Sequence, residues 1–154
     1  MAPSVQWHVS GFDGLSINDL YDLIAARVEV FIVEQNCPYQ DVDGKDRHAL
    51  HVWARDEANH VVAYARITHP GVRFQEPSIG RVITTQAGRS KGLGRELMTR
   101  AIAVIEARYP QQAIRISAQQ YLERFYQSLG FKTVSEPYLE DNIPHLEMLR
   151  SAKQ

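Results

Sequence analysis

Residues 89 to 95 read Arg89-Ser90-Lys91-Gly92-Leu93-Gly94-Arg95, three cations set around two glycines. The segment follows the β-branched run Ile79 to Thr85 and precedes a stretch in which Leu93, Leu97, Ala101, Val104 and Ile105 share one helical face. A helix that starts here leaves its first N–H groups without intrahelical acceptors and carries partial positive charge. Such an end binds phosphate groups. The glycines let the backbone approach the anion closely, and Arg89, Lys91 and Arg95 add charge around it, so the unit is suited to a diphosphate.

Spacing narrows the choice. A Walker-type loop needs a Lys-Ser/Thr pair after its last glycine, and Arg95-Glu96 stands there instead. A dinucleotide fingerprint needs a third glycine where Leu97 sits. Neither pattern fits.

The elements that must position this segment follow from periodicity. Ser16 to Asp19 is a helix-start signal, and Leu20, Leu23, Ile24, Arg27, Val28 and Phe31 recur behind it at helical spacing, fading before Cys37-Pro38. Pro38 to Asp46 is polar and reads as a loop. Leu50 to Arg55 and Val61 to Ile67 alternate across the polar run 56–60, which predicts an antiparallel hairpin. After the second long helix, ended by Pro110, come a strand over 113–117 and a third helix carrying Tyr121, Leu122, Phe125, Tyr126 and Leu129. Gly130 stops that helix, and short strands are expected over 131–134 and 145–149. One mixed α/β sheet with helices on its faces accommodates this order.

Composition bounds the function. The chain has 154 residues and 44% hydrophobic content, enough for one domain with a filled core. Its 17 basic and 18 acidic side chains give a formal net charge of -1, which argues against a general nucleic-acid binder. The single cysteine, Cys37, cannot form an intramolecular disulfide, and neither a secretory signal nor a membrane-spanning run is visible, so a cytoplasmic location is expected.

Arg89-x-x-Gly92-x-Gly94 resembles the pyrophosphate loop of the GNAT N-acetyltransferases. Gln119-Gln120-Tyr121-Leu122-Glu123-Arg124-Phe125-Tyr126-Gln127-Ser128-Leu129-Gly130-Phe131 resembles that superfamily's second signature, a tyrosine-bearing helix ending at Gly-Phe. The runs from Arg27 to Gly44 and from Tyr138 to His145 are similar to its ElaA branch. With Gly80-Arg81-Val82 these segments cover most of the chain, which is identified as an ElaA-like member of the GNAT superfamily.

The resemblance implies a single GNAT domain over 1–154, an α/β fold (mixed α+β) with one splayed, mostly antiparallel sheet. It implies acetyl-CoA as co-substrate, an amine acceptor, no metal, and the dimers that many relatives form. Backbone groups of Val82, Ile83 and Thr84 would pair with the pantetheine arm, and Gln119 would touch it. Residues Arg89, Ser90, Lys91, Gly92, Leu93, Gly94 and Arg95 would hold the pyrophosphate, and Tyr126 would protonate the departing thiolate. Many relatives carry a glutamate on the strand before the loop, where this chain has Ser78-Ile79-Gly80-Arg81-Val82. The general base is therefore open among Glu34, Asp41, His51, Glu76 and His145, with Glu34 and His145 placed first. The missing carboxylate also supports an alternative, a non-catalytic acyl-CoA-binding module.

Three signals are discounted. Cys37 is expected to be a loop thiol, since direct transfer needs no nucleophilic sulfur. Asp41-x-Asp43-Gly44-x-Asp46 lacks the spacing of a calcium loop, and His48-x-x-His51 is too sparse for a metal site. Both are expected to be solvated.

Overall fold

The computed structural model describes residues 4–89 and 91–152. The chain opens with a strand that periodicity had not suggested, β1 (Gln6–Gly11), and continues into helix α1 (Ile17–Arg27). Ser16 caps α1 as expected. Its Oγ accepts from the Asp19 N–H at 2.9 Å, and the Asp19 carboxylate accepts from the Ser16 N–H at 3.3 Å. The helical periodicity runs on past Arg27 because the next seven residues, Val28–Glu34, form a π-helical segment.

Strands β2 (Ala49–Arg55), β3 (Val61–Thr68) and β4 (Ser78–Thr84) complete a four-stranded antiparallel sheet in the order β1-β2-β3-β4. The β2–β3 hairpin matches the alternation in the sequence. Every residue of β3 is buried, because both faces of the sheet are covered. On one face Ala65 and Ile67 of β3 share a core with Leu97, Met98, Ile102 and Ile105 of helix α2 (Leu93–Arg108). On the other, Tyr64, Trp53 and Ile83 pack with Leu23 and Ala26 of α1.

Strands β5 (Ile114–Gln119), β6 (Lys132–Thr133), β7 (Tyr138–Glu140) and β8 (Ile143–Arg150) form a second antiparallel sheet, with β5 and β6 on either side of β8 and β7 also on β8. The expected third helix is one 3₁₀ turn, Gln120–Leu122, followed by the short α3 (Glu123–Gln127). Strand β7 was not anticipated. Asp141 and Asn142, both at positive φ (49° and 64°), close it onto β8 as a two-residue turn.

The two sheets meet where the Arg115 N–H donates to the Pro77 carbonyl at 3.2 Å. Beyond that point β4 and β5 part. This is the splay that the family resemblance implies, with the strands hydrogen-bonded as two antiparallel sheets rather than one.

Candidate active site

The parting strands frame a cleft of about 610 Å³. Val82, Ile83 and Thr84 line one wall, Ser117 and Gln119 the other, and Gly94, Tyr126 and His145 also border the cleft. Strand β4 is the outer strand of its sheet, so one edge of its backbone is free to accept an extended partner.

The β4 ladder is broken in its middle. Arg66 pairs with Gly80 and Tyr64 with Ile83, so Arg81 and Val82 together oppose one residue of β3. Arg81 sits at φ 50°. Its side chain crosses to the loop after α1, where Nη2 donates to the Asp41 carbonyl at 3.0 Å. That loop is the acidic run expected to be solvated, and the structure corrects the expectation. Asp41 and Asp46 are 4% and 5% exposed. Arg27, itself 1% exposed, donates to Asp41 Oδ2 at 2.9 Å and to Asp46 Oδ1 at 2.7 Å. Arg66 donates to both Asp43 carboxylate oxygens at 2.9 and 3.0 Å and to Asp46 at 3.2 Å. Three arginines, from α1, β3 and β4, thus neutralise the acidic run. Burial would raise the Asp43 pKa, but hydrogen bonds from Arg66 and the Lys45 N–H, with the charges of Arg66 and Arg81, bring it down to about 2.

His51 is likewise buried and lies outside the cleft. Its Nε2 donates to the Asp46 carbonyl at 3.0 Å, which leaves Nδ1 to accept from Tyr64 Oη at 2.7 Å. Burial lowers its pKa, in keeping with this neutral tautomer. Glu76 is held by Arg115 at 3.1 and 3.2 Å. Asp41 is committed to arginines. Of the five candidate bases, only Glu34 and His145 line the cleft.

Glu34, at the end of the π-helical segment, is ion-paired with Arg89, whose Nε also donates to the Thr84 carbonyl at 3.2 Å. One expected proton acceptor is thus joined to one expected phosphate ligand. His145 is 7% exposed and stacks on Tyr138. Its Nδ1 donates to the Ile143 carbonyl at 2.7 Å, and its Nε2 lies 3.6 Å from Glu140 Oε2.

At the start of α2, Gly92 has φ 72°, a conformation costly for other residues, and among the described residues no side chain caps the helix. A Cβ on Gly94 would stand 3.9 Å from Thr84 Cγ2 and 4.0 Å from Phe125 Cζ, so its missing side chain keeps the end of the cleft open beside the helix start. Lys91 is exposed. The Leu93 side chain is buried in the core, leaving its backbone at the helix start. The Arg95 guanidinium bonds Ser128 Oγ at 2.7 Å and lies over the Phe125 ring. Ser90 lies outside the described residues. The Gln119 amide faces Gln35 at 3.5 Å. Tyr126 is buried, which raises its pKa, and among the described residues its hydroxyl makes no hydrogen bond.

Sequence reading missed Glu140, Arg73 and Ser117. Arg115, Ser117 and Gln119 alternate with the buried Ile114, Ile116 and Ala118, a period-2 signal for a polar face on the cleft side. The Asp141-Asn142 turn was the available sign that Glu140 folds back onto this face.

A splayed sheet with an open strand edge and a glycine-lined helix start defines an acyltransferase fold. Residues 20–151 match the acetyltransferase (GNAT) domain family. The chain is 41% identical to Protein ElaA of Escherichia coli over 97% of its own length and 99% of that protein. The crystal structure of E. coli ElaA superposes with a TM-score of 0.90 at 38% identity, covering 96% of this chain and all of that one. That of an acyl-CoA N-acyltransferase from Pseudomonas aeruginosa gives 0.91 at 39% identity, again over 96% and all of the respective chains. The chain belongs to the GNAT acetyltransferase family, as an ElaA-like member. Among the described residues, no helix is long and apolar enough to cross a membrane, and no cluster of three or more His, Cys, Asp or Glu is disposed to hold a metal.

Proposed function

We propose that the protein transfers an acetyl group from acetyl-CoA to an amine, by direct attack within one ternary complex in the cytoplasm. The observation that carries this reading is the continuity of the cleft, from the Gly94 helix start, along the open edge of β4, to the buried Tyr126 and His145.

The residues fit the coenzyme. Backbone amides at the start of α2, with Arg89 and Lys91, suit a pyrophosphate. The outer edge of β4 at Val82, Ile83 and Thr84 suits the amide-bearing pantetheine arm, as a peptide adds to a sheet edge. When bound, the coenzyme supplies a thioester, an acyl group already activated toward amines. Holding both reactants in one cleft removes the entropic cost of their encounter. The Tyr126 hydroxyl, kept protonated by burial, donates to the leaving sulfur. His145 is the base this geometry favours, because Glu34 is neutralised by Arg89 while Nε2 of His145 keeps a lone pair on the cleft side.

Calorimetric titration with CoA and with ATP, followed by thiol release from acetyl-CoA across a panel of amines, tests the reading. CoA binds, ATP does not, and at least one amine releases thiol. Tight CoA binding with no release from any amine would favour the binding-module alternative.

A further inference from the structure

The β7–β8 hairpin places two acceptors face to face. Because Nδ1 of His145 donates to the Ile143 carbonyl, the neutral ring carries no proton on Nε2. The group opposite, 3.6 Å away, is Glu140 Oε2, also an acceptor. The other oxygen of that carboxylate, Oε1, is taken by Arg73 at 2.7 Å and lies 3.4 Å from Ser117 Oγ, which holds the carboxylate turned. Ser117 and Tyr138, 2.5 Å apart, buttress the pair, and the Tyr138 ring stacks on His145. Both acceptors line the cleft, and His145 pairs in register with Gln119 of β5.

With the ring neutral, the two acceptors converge without a proton between them and suit a ligand with several N–H donors on one positively charged atom. A nitrogen about 2.8 Å from each, the usual length of a charge-assisted hydrogen bond, fits between groups 3.6 Å apart. We propose that Glu140 Oε2 and His145 Nε2 form the acceptor subsite and that it takes a primary alkylammonium ion. This rests on the acyltransferase reading for its chemistry, though not for its binding. Glu140 holds the cation, and one N–H proton passes to His145 Nε2 and then to solvent. The freed lone pair forms the C–N bond as the C–S bond breaks, Tyr126 gives its proton to the leaving sulfur, and the second proton lost by nitrogen passes through solvent to restore the Tyr126 hydroxyl. An alcohol offers one donor and a quaternary ammonium none, so neither fits.

The groups facing His145 are Glu140 and Tyr138 of β7 and Gln119 of β5, with Arg73 reaching Glu140 from the β3–β4 loop. The test is an NMR titration of the ¹³C-histidine-labelled protein with propylammonium, 1-propanol and tetramethylammonium, with the ring signal assigned from the His145→Gln spectrum. Only propylammonium moves the His145 resonance, and Glu140→Gln, isosteric and at unchanged melting temperature, weakens that response about tenfold, as expected for loss of a charged hydrogen bond. Acetyl transfer to propylamine falls about 100-fold in His145→Gln and loses its rise with pH, the size expected of a general base. A His145 signal indifferent to propylammonium overturns the subsite, whatever the turnover. A normal amine response without CoA binding or thiol release instead sinks the acyltransferase reading and leaves the subsite standing.

Discussion

Nε of Arg81 lies 2.8 Å from Asp41 Oδ1, and these two residues tie the break in β4 to the loop behind α1. Arg81 marks the bulge where the β3–β4 register shifts. Asp41 in turn holds the buried Arg27, so one carboxylate anchors both the helix and the bulge. Removing it leaves Arg27 with a single carboxylate partner, Asp46, in a site that is almost fully buried. Asp41→Ala is expected to cost about 3 kcal/mol, the scale of breaking a buried pair by deleting one member. Urea denaturation would show it, and a loss under about 1 kcal/mol would mean that the remaining aspartates carry the network alone.

The same network sets an acid limit. The folded Asp43 pKa, about 2, lies below its ordinary value of 3.8, so its stabilisation is complete above that value and is lost as pH falls toward 2. Burial lowers the His51 pKa below 6.5, so protonation opposes folding once pH drops through 6.5. The two act in the same direction at different pH. Melting temperature should be flat above about pH 7, decline first through the histidine range, and decline again below pH 4. His51→Gln should remove much of the first decline and leave the second.

Gly94 separates stability from binding. Its added Cβ meets only ordinary van der Waals contacts, at 3.9 and 4.0 Å, and alanine is the better helix former by up to about 1 kcal/mol. Gly94→Ala is expected to melt no lower than the parent yet to bind CoA about tenfold more weakly, an approximate 1.4 kcal/mol loss from a methyl group placed against the ligand. Unchanged CoA affinity would remove this helix start from the binding site.

Glu34 and the proposed pyrophosphate compete for Arg89. Glu34 holds the guanidinium and brings a negative charge to the mouth of the cleft. Glu34→Gln should tighten CoA binding about threefold at low ionic strength, with the gain fading as salt screens the charges. Weaker binding in this variant would show that the carboxylate orients Arg89 toward the ligand rather than withholding it.

Tyr126→Phe deletes a hydroxyl that has no protein partner among the described residues, so the fold should tolerate it. The expected result is unchanged CoA affinity with turnover down about 100-fold, the usual scale for one positioned acid. Equal turnover would mean that the thiolate leaves without help from this residue.

The sequence by itself determined the local events. The Ser16–Asp19 cap, the β2–β3 hairpin and the strand-loop-helix unit around Gly92 and Gly94 each depend on residues close together in the chain, where periodicity and backbone preference act. Three things were settled only in the folded molecule: the burial of Asp41 and Asp46, the pairing of Glu34 with Arg89, and the meeting of Glu140 with His145. The first two join residues 14 to 55 positions apart, and their energetics depend on which charges lose water together. The third spans five positions but needs the Asp141-Asn142 turn to fold β7 back on β8. Without that turn, Glu140 would read as one more exposed carboxylate.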